Sequence, residues 1–141
     1  MGTSSRIGFQ LRSGKILAIY CNWDGYPAHV GKTLLENYTT PEKVLDLLNL
    51  GNLSSLGASL GEKHDFNEDI PGICKAYGRD RGELNQGYRE YANFADFRRD
   101  CEYTSFAYLF RPSKTTYNTG TWFYHKADSK RFVKLTPKAV R

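Results

Sequence analysis

Between Thr40 and Gly51 the sequence carries the signals of one complete helix. Thr40 has the short hydroxyl side chain of an N-cap, Pro41 suits the first helical position, and Gly51 stands just past the end. Between them Val44, Leu47 and Leu48, flanked by Leu45, form an apolar stripe at helical spacing. So short a helix is marginal on its own and is held mainly by what its apolar stripe packs against. The chain must therefore supply a surface to cover it, and the segments on either side are suited to a sheet.

Residues 6–11 and 15–21 are rich in β-branched and aromatic side chains and are joined by Arg12-Ser13-Gly14, which predicts an opening hairpin. Turn-forming residues then surround two large aromatics in Asn22-Trp23-Asp24-Gly25-Tyr26-Pro27, and a short helix is expected over residues 28–37. Residues 53–57 read as a tight turn, 61–72 as a polar irregular stretch, and 73–77 as a short strand. Residues 88–100 suit either a helix or an irregular segment, because Tyr88, Tyr91, Phe94 and Phe97 recur every three residues. Residues 104–110, 121–126 and 131–135 complete a basic, aromatic β-meander over 104–141. The expected fold is one α+β domain over 1–141, a mixed and mainly antiparallel sheet with two or three helices packed on one face.

The formal charge of +5 is unevenly spread: residues 111–141 carry eight Lys and Arg against Asp128 alone. Such a cationic region attracts polyanions over roughly 8 Å in physiological salt. No apolar run reaches the roughly 20 residues of a membrane span, and the start lacks a secretory pattern, so a cytoplasmic location is expected. Cys21, Cys74 and Cys101 are odd in number and widely spaced, which predicts buried thiols rather than disulfides. No spacing of His, Cys or acidic residues nominates a metal site, and no cofactor motif is present.

Three groups of residues suggest chemistry. Arg79-Asp80-Arg81 lies between Gly78 and Gly82, so a sharp turn can present two guanidinium forks to one anion; the same residues suit an internal salt-bridge network. Trp23, Asp24 and Tyr26 place a carboxylate between two rings, an arrangement that stacks and reads a base or simply packs a loop. His64 and Asp65 are the only adjacent His–carboxylate pair of the irregular stretch, which makes His64 a conceivable general base with Arg79 as transition-state clamp. The aromatic and basic residues of the last third, Arg111 and Tyr117 among them, suit a stacking surface with a cationic rim.

Four stretches, Tyr20-Cys21-Asn22-Trp23-Asp24-Gly25-Tyr26-Pro27, Gly61-Glu62-Lys63-His64-Asp65, Ala76-Tyr77-Gly78-Arg79-Asp80-Arg81-Gly82-Glu83 and Phe106-Ala107-Tyr108-Leu109-Phe110, together resemble a group of small bacteriophage and prophage proteins. Members commonly carry histidine where this chain has Asn22. The resemblance implies action on a host process or host defence. The leading expectation is a non-enzymatic protein that holds a phosphate-bearing ligand, a nucleotide signal or nucleic acid, with Trp23, Asp24, Tyr26, His64, Arg79, Asp80 and Arg81. Two alternatives are an enzyme acting on nucleotides or nucleic acid through His64, Asp65 and Arg79, and an inhibitor that docks on a host protein through Lys126, Arg131 and Lys134.

Overall fold

The computed structural model describes residues 2–129 and 131–141. The opening hairpin forms as its composition predicts: β1 (Ser5–Gln10) pairs antiparallel with β2 (Ile16–Cys21), in the register Ile7 to Ile19. After β2 the chain makes a π-helical turn over Pro27–Gly31 that runs into α1 (Lys32–Asn37), so the single expected helix is two unlike pieces. Helix α2 (Pro41–Leu50) has the predicted ends. The Thr40 hydroxyl accepts from Lys43 N at 3.2 Å, and Gly51 leaves the helix at φ +86°.

The residues that follow depart from their local appearance. Residues 53–57 contain strand β3 (Leu53–Ser55) instead of a turn, because Leu53 and Ser54 carbonyls accept from Asn22 N and Trp23 N, both at 3.0 Å. The expected strand at 73–77 is cut to β4 (Lys75–Ala76), and the glycine-bracketed arginines form α3 (Tyr77–Arg81), closed by Gly82 in the left-handed region. Residues 88–100 divide into β5 (Arg89–Tyr91) and α4 (Phe94–Asp100), whose N-cap Asn93 accepts from Asp96 N at 2.9 Å. The last third is β6 (Phe106–Pro112), β7 (Gly120–Lys126) and β8 (Val133–Lys134).

Among the described residues the eight strands form one sheet in the order β4-β3-β2-β1-β6-β7-β8, with β5 alongside the first half of β2. The fold is α+β and the sheet is mixed and mainly antiparallel, as expected. Its centre, however, is the parallel pair β1–β6, aligned Ile7 to Tyr108. Ile7, Phe9, Tyr108, Phe110 and Trp122 face one way and pack with Val30, Leu34, Val44, Leu47 and Leu48 of the π-helical turn, α1 and α2. Ile16, Ala18, Ala107 and Leu109 face the other way and are covered by Phe97 of α4. Burial on both sides accounts for the unbroken buried run from Ala107 to Phe110. Among the described residues no helix is long and apolar enough to cross a membrane.

Candidate functional site

Arg79 and Asp80 are adjacent in sequence and saturated in space. The Arg79 Nε and Nη2 donate to the two Asp80 oxygens at 2.9 and 3.1 Å, Nη1 donates to the carbonyls of Leu60 at 2.8 Å and Gly61 at 3.1 Å, and Nη2 also reaches the Cys74 carbonyl at 2.8 Å. The buried Asp80 carboxylate accepts further bonds from Ala76 N at 2.8 Å and His64 N at 3.1 Å. Burial alone would raise the Asp80 pKa, but the hydrogen bonds from Arg79, Ala76 and His64 outweigh it and hold the carboxyl below its ordinary value. The expected guanidinium fork for an external anion is therefore engaged: Arg79 ties residues 60–61 and Cys74 to α3.

The neighbours of this knot are engaged as well. The His64 Nδ1 lies 3.0 Å from the Glu62 carbonyl, which can only accept, so Nδ1 carries a proton; it also lies 3.5 Å from Asp80 Oδ1. Asp65 accepts from Asn67 N at 3.0 Å in a local turn, and among the described residues no hydrogen bond or ion pair joins it to His64. Arg81 pairs with Glu83, and its guanidinium covers the rings of Phe66 at 4.4 Å and Tyr77 at 4.8 Å. These contacts pin the irregular stretch at residues 61–72 onto α3.

The Trp23 loop is an ordered turn at the same end of the sheet. Asp24 adopts φ +56°, Gly25 N donates to the Thr3 carbonyl at 2.7 Å, and the buried Tyr108 hydroxyl donates to the Gly25 carbonyl at 2.6 Å. Trp23 and Tyr26 remain 44% and 42% exposed, so their rings are partly free. Among the described residues no hydrogen bond, ion pair or ring contact connects Trp23, Asp24 or Tyr26 with His64, Arg79 or Arg81, and the single cleft expected from the two turns is not formed by such contacts.

A different concavity lies at the opposite end, where the parallel strands β1 and β6 finish. A hollow of about 530 Å³ is lined by Phe9, Gln10, Leu11, Arg12, Pro41, Arg111, Pro112, Ser113 and Lys114. Its walls carry three cations and no acidic residue. Arg12 and Lys114 are exposed and make no ion pair with any described residue. Arg111 is half-buried, its guanidinium lying 4.7 Å from the Phe123 ring centroid and 5.3 Å from that of Phe94, and its Nε donates to Gln10 Oε1 at 2.8 Å. Two rings and an amide thus hold the Arg111 guanidinium on the face of the sheet that carries α4, while Phe9 and Pro41 line the hollow from the face that carries α2; among the described residues Arg111 makes no ion pair.

The aromatic, basic character of the last third marked Arg111 in the sequence, but Arg12 and Lys114 had no local signal. The pairing of β1 with β6 brings them together, and those strands are separated by most of the chain. Lys126, Arg131 and Lys134 are exposed around β7 and β8 and lie outside this hollow. Comparison of the chain with protein-family models, curated proteins and solved structures gives no match.

Proposed function

We propose that this protein binds a phosphate-bearing ligand without transforming it, and that the Arg12, Arg111 and Lys114 groove holds the phosphate. The carrying observation is that these three cations line one hollow with no carboxylate among them, while Arg79 and Arg81 are paired internally. An arginine presents parallel N–H groups that match phosphate oxygens. The apolar floor of Phe9, Leu11, Pro41 and Pro112 suits the uncharged part of a nucleotide. Engagement of Arg79 by four neighbouring oxygens and a second carboxylate oxygen supports binding over turnover, since it leaves His64 without the expected clamp. The resemblance to phage and prophage proteins sets the context: a host nucleotide signal or nucleic acid, captured to the disadvantage of the host process that uses it.

Calorimetric titration with inorganic pyrophosphate and mixed nucleoside monophosphates at low salt tests the site. Replacing Arg12 and Lys114 by serine and Arg111 by glutamine is expected to weaken binding at least about tenfold, in line with loss of charge-assisted hydrogen bonds. Replacing Lys126, Arg131 and Lys134 by alanine, which removes as much charge elsewhere, is expected to change affinity less than about twofold through long-range screening-sensitive terms alone. Equal losses in the two variants, with unchanged melting temperatures, overturn the assignment to the groove.

A further inference from the structure

The groove continues past Lys114 and its chemistry changes there. A second hollow of about 690 Å³ shares Arg12, Pro41, Pro112, Ser113 and Lys114 with the first and runs between the start of α2 and residues 113–119 of the β6–β7 hairpin. Its new features are Glu42, Asp46 and Tyr117. Glu42 and Asp46 are four residues apart on α2 and so share one helix face. Both are exposed and neither makes an ion pair with a described residue. Tyr117 is 95% exposed at the hairpin end, which leaves both ring faces open for stacking.

A ligand that fills both hollows must therefore be divided in character. Its anionic end belongs with Arg12 and Lys114, the cations that both hollows share, and its other end must offer hydrogen-bond donors to carboxylates and a flat face to a phenol ring. A second phosphate would be repelled by Glu42 and Asp46, which argues against a strand whose backbone continues along the groove. A nucleotide satisfies both ends. Among the bases, guanine alone presents two adjacent donors, N1–H and N2–H, that meet the two oxygens of a carboxylate in parallel. Adenine and cytosine offer one amino group beside a ring acceptor, which a carboxylate repels.

The geometry points to a guanine nucleotide as the ligand, with its phosphate in the cationic hollow and its base edge read by Glu42 or Asp46 beside Tyr117. This assignment rests on the proposed phosphate site. Titration of the full chain with GMP, AMP, CMP and inorganic phosphate tests the two separately. GMP is expected to bind about tenfold more tightly than AMP or CMP, the discrimination of one charged hydrogen-bond pair. Glu42→Gln with Asp46→Asn is expected to bring GMP to the level of AMP while leaving the inorganic phosphate affinity unchanged. Equal affinity for GMP and AMP, with both still dependent on Arg12 and Lys114, overturns the base reading and leaves the phosphate site standing. A single-stranded oligonucleotide that binds more than about tenfold tighter than GMP overturns it in favour of a strand. Failure of every phosphate-containing probe to bind overturns the phosphate site itself. Unchanged melting curves for the double variant exclude unfolding as a cause, because both side chains are exposed.

Discussion

Replacement of Asp80 by alanine separates a structural knot from a ligand site. The substitution removes the only carboxylate paired with Arg79 among the described residues and strips acceptors from Ala76 N and His64 N. Breaking a buried ion pair from one side costs about 3–5 kcal/mol. Asp80 is fully shielded and Arg79 is 18% exposed, and the arginine keeps its three carbonyl partners, so the lower figure applies, about 3 kcal/mol. An unfolding entropy of about 0.3 kcal/mol/K for a chain of this length converts that to a drop of about 10 °C in melting temperature. Calorimetry at neutral pH measures it. The acid dependence gives a second reading. Because the folded carboxyl is held below its ordinary value, its contribution is complete above about pH 4 and disappears as the pH falls through the folded value, so the gap between wild type and variant narrows in acid. A melting temperature within about 2 °C of wild type, or a gap that widens in acid, would refute the reasoning. Loss of phosphate binding with the full melting temperature retained would instead make the knot a ligand site.

Two further outcomes follow from close packing. Gly51→Ala places a Cβ 2.3 Å from the Gln86 carbonyl oxygen at φ +86°, whereas Gly14→Ala at φ +95° meets nothing within 4 Å; urea denaturation should show Gly51→Ala losing about 2 kcal/mol more than Gly14→Ala, and equal losses would mean that residues 86–87 move aside freely. The thiols of Cys21 and Cys101 are each pushed up to about 12 by burial, and that of Cys74 is raised by the same cause, so an aromatic disulfide reagent at pH 8 should titrate no thiol in the folded protein and all three in urea. A stoichiometric burst from the folded state would contradict their burial.

What the sequence could disclose was local. The ends of α2 were legible because Thr40, Pro41 and Gly51 act within a few residues of where they stand, and the β1–β2 hairpin because its turn is short. Strand β3 was hidden because three residues are too few for alternation to emerge, and its existence depends on the carbonyls it offers to Asn22 and Trp23. The parallel β1–β6 pair was hidden for the opposite reason, since its partners lie about a hundred residues apart and no turn announces them. The Arg79-Asp80-Arg81 pattern admitted both an anion site and an internal network. The choice was made by the carbonyls of Leu60, Gly61 and Cys74, which carry no residue-type signature. The aromatic ring of Phe123 beside Arg111 was visible as a residue of the last third, but its role as a platform depended on the cross-strand pairing of Arg111 with Thr121.

The charge asymmetry of the sequence acquires its meaning from the pairing pattern of the fold. Every ion pair between described residues, from Arg6–Asp100 to Arg99–Asp96, has both partners before residue 111. The acidic side chains in those pairs engage arginines and lysines of the same portion and tie β5, α3 and α4 in place, while Arg12 stays unpaired among the described residues. The cations of residues 111–141 are left to set the external field, and a field of one sign is focused where low-dielectric walls enclose it. Most of those cations, Lys126 and Lys134 among them, stand exposed around the last strands, where solvent screens them. Arg111 differs because Phe94, Phe123 and Gln10 hold its guanidinium half-buried, and the residue borders the hollow that Arg12 and Lys114 also line. A partly desolvated cation without a counter-ion is a cost to the folded chain that an incoming anion relieves. That relief is available at the carboxyl ends of β1 and β6 and is absent at the Arg79 knot, where Asp80 has already provided it.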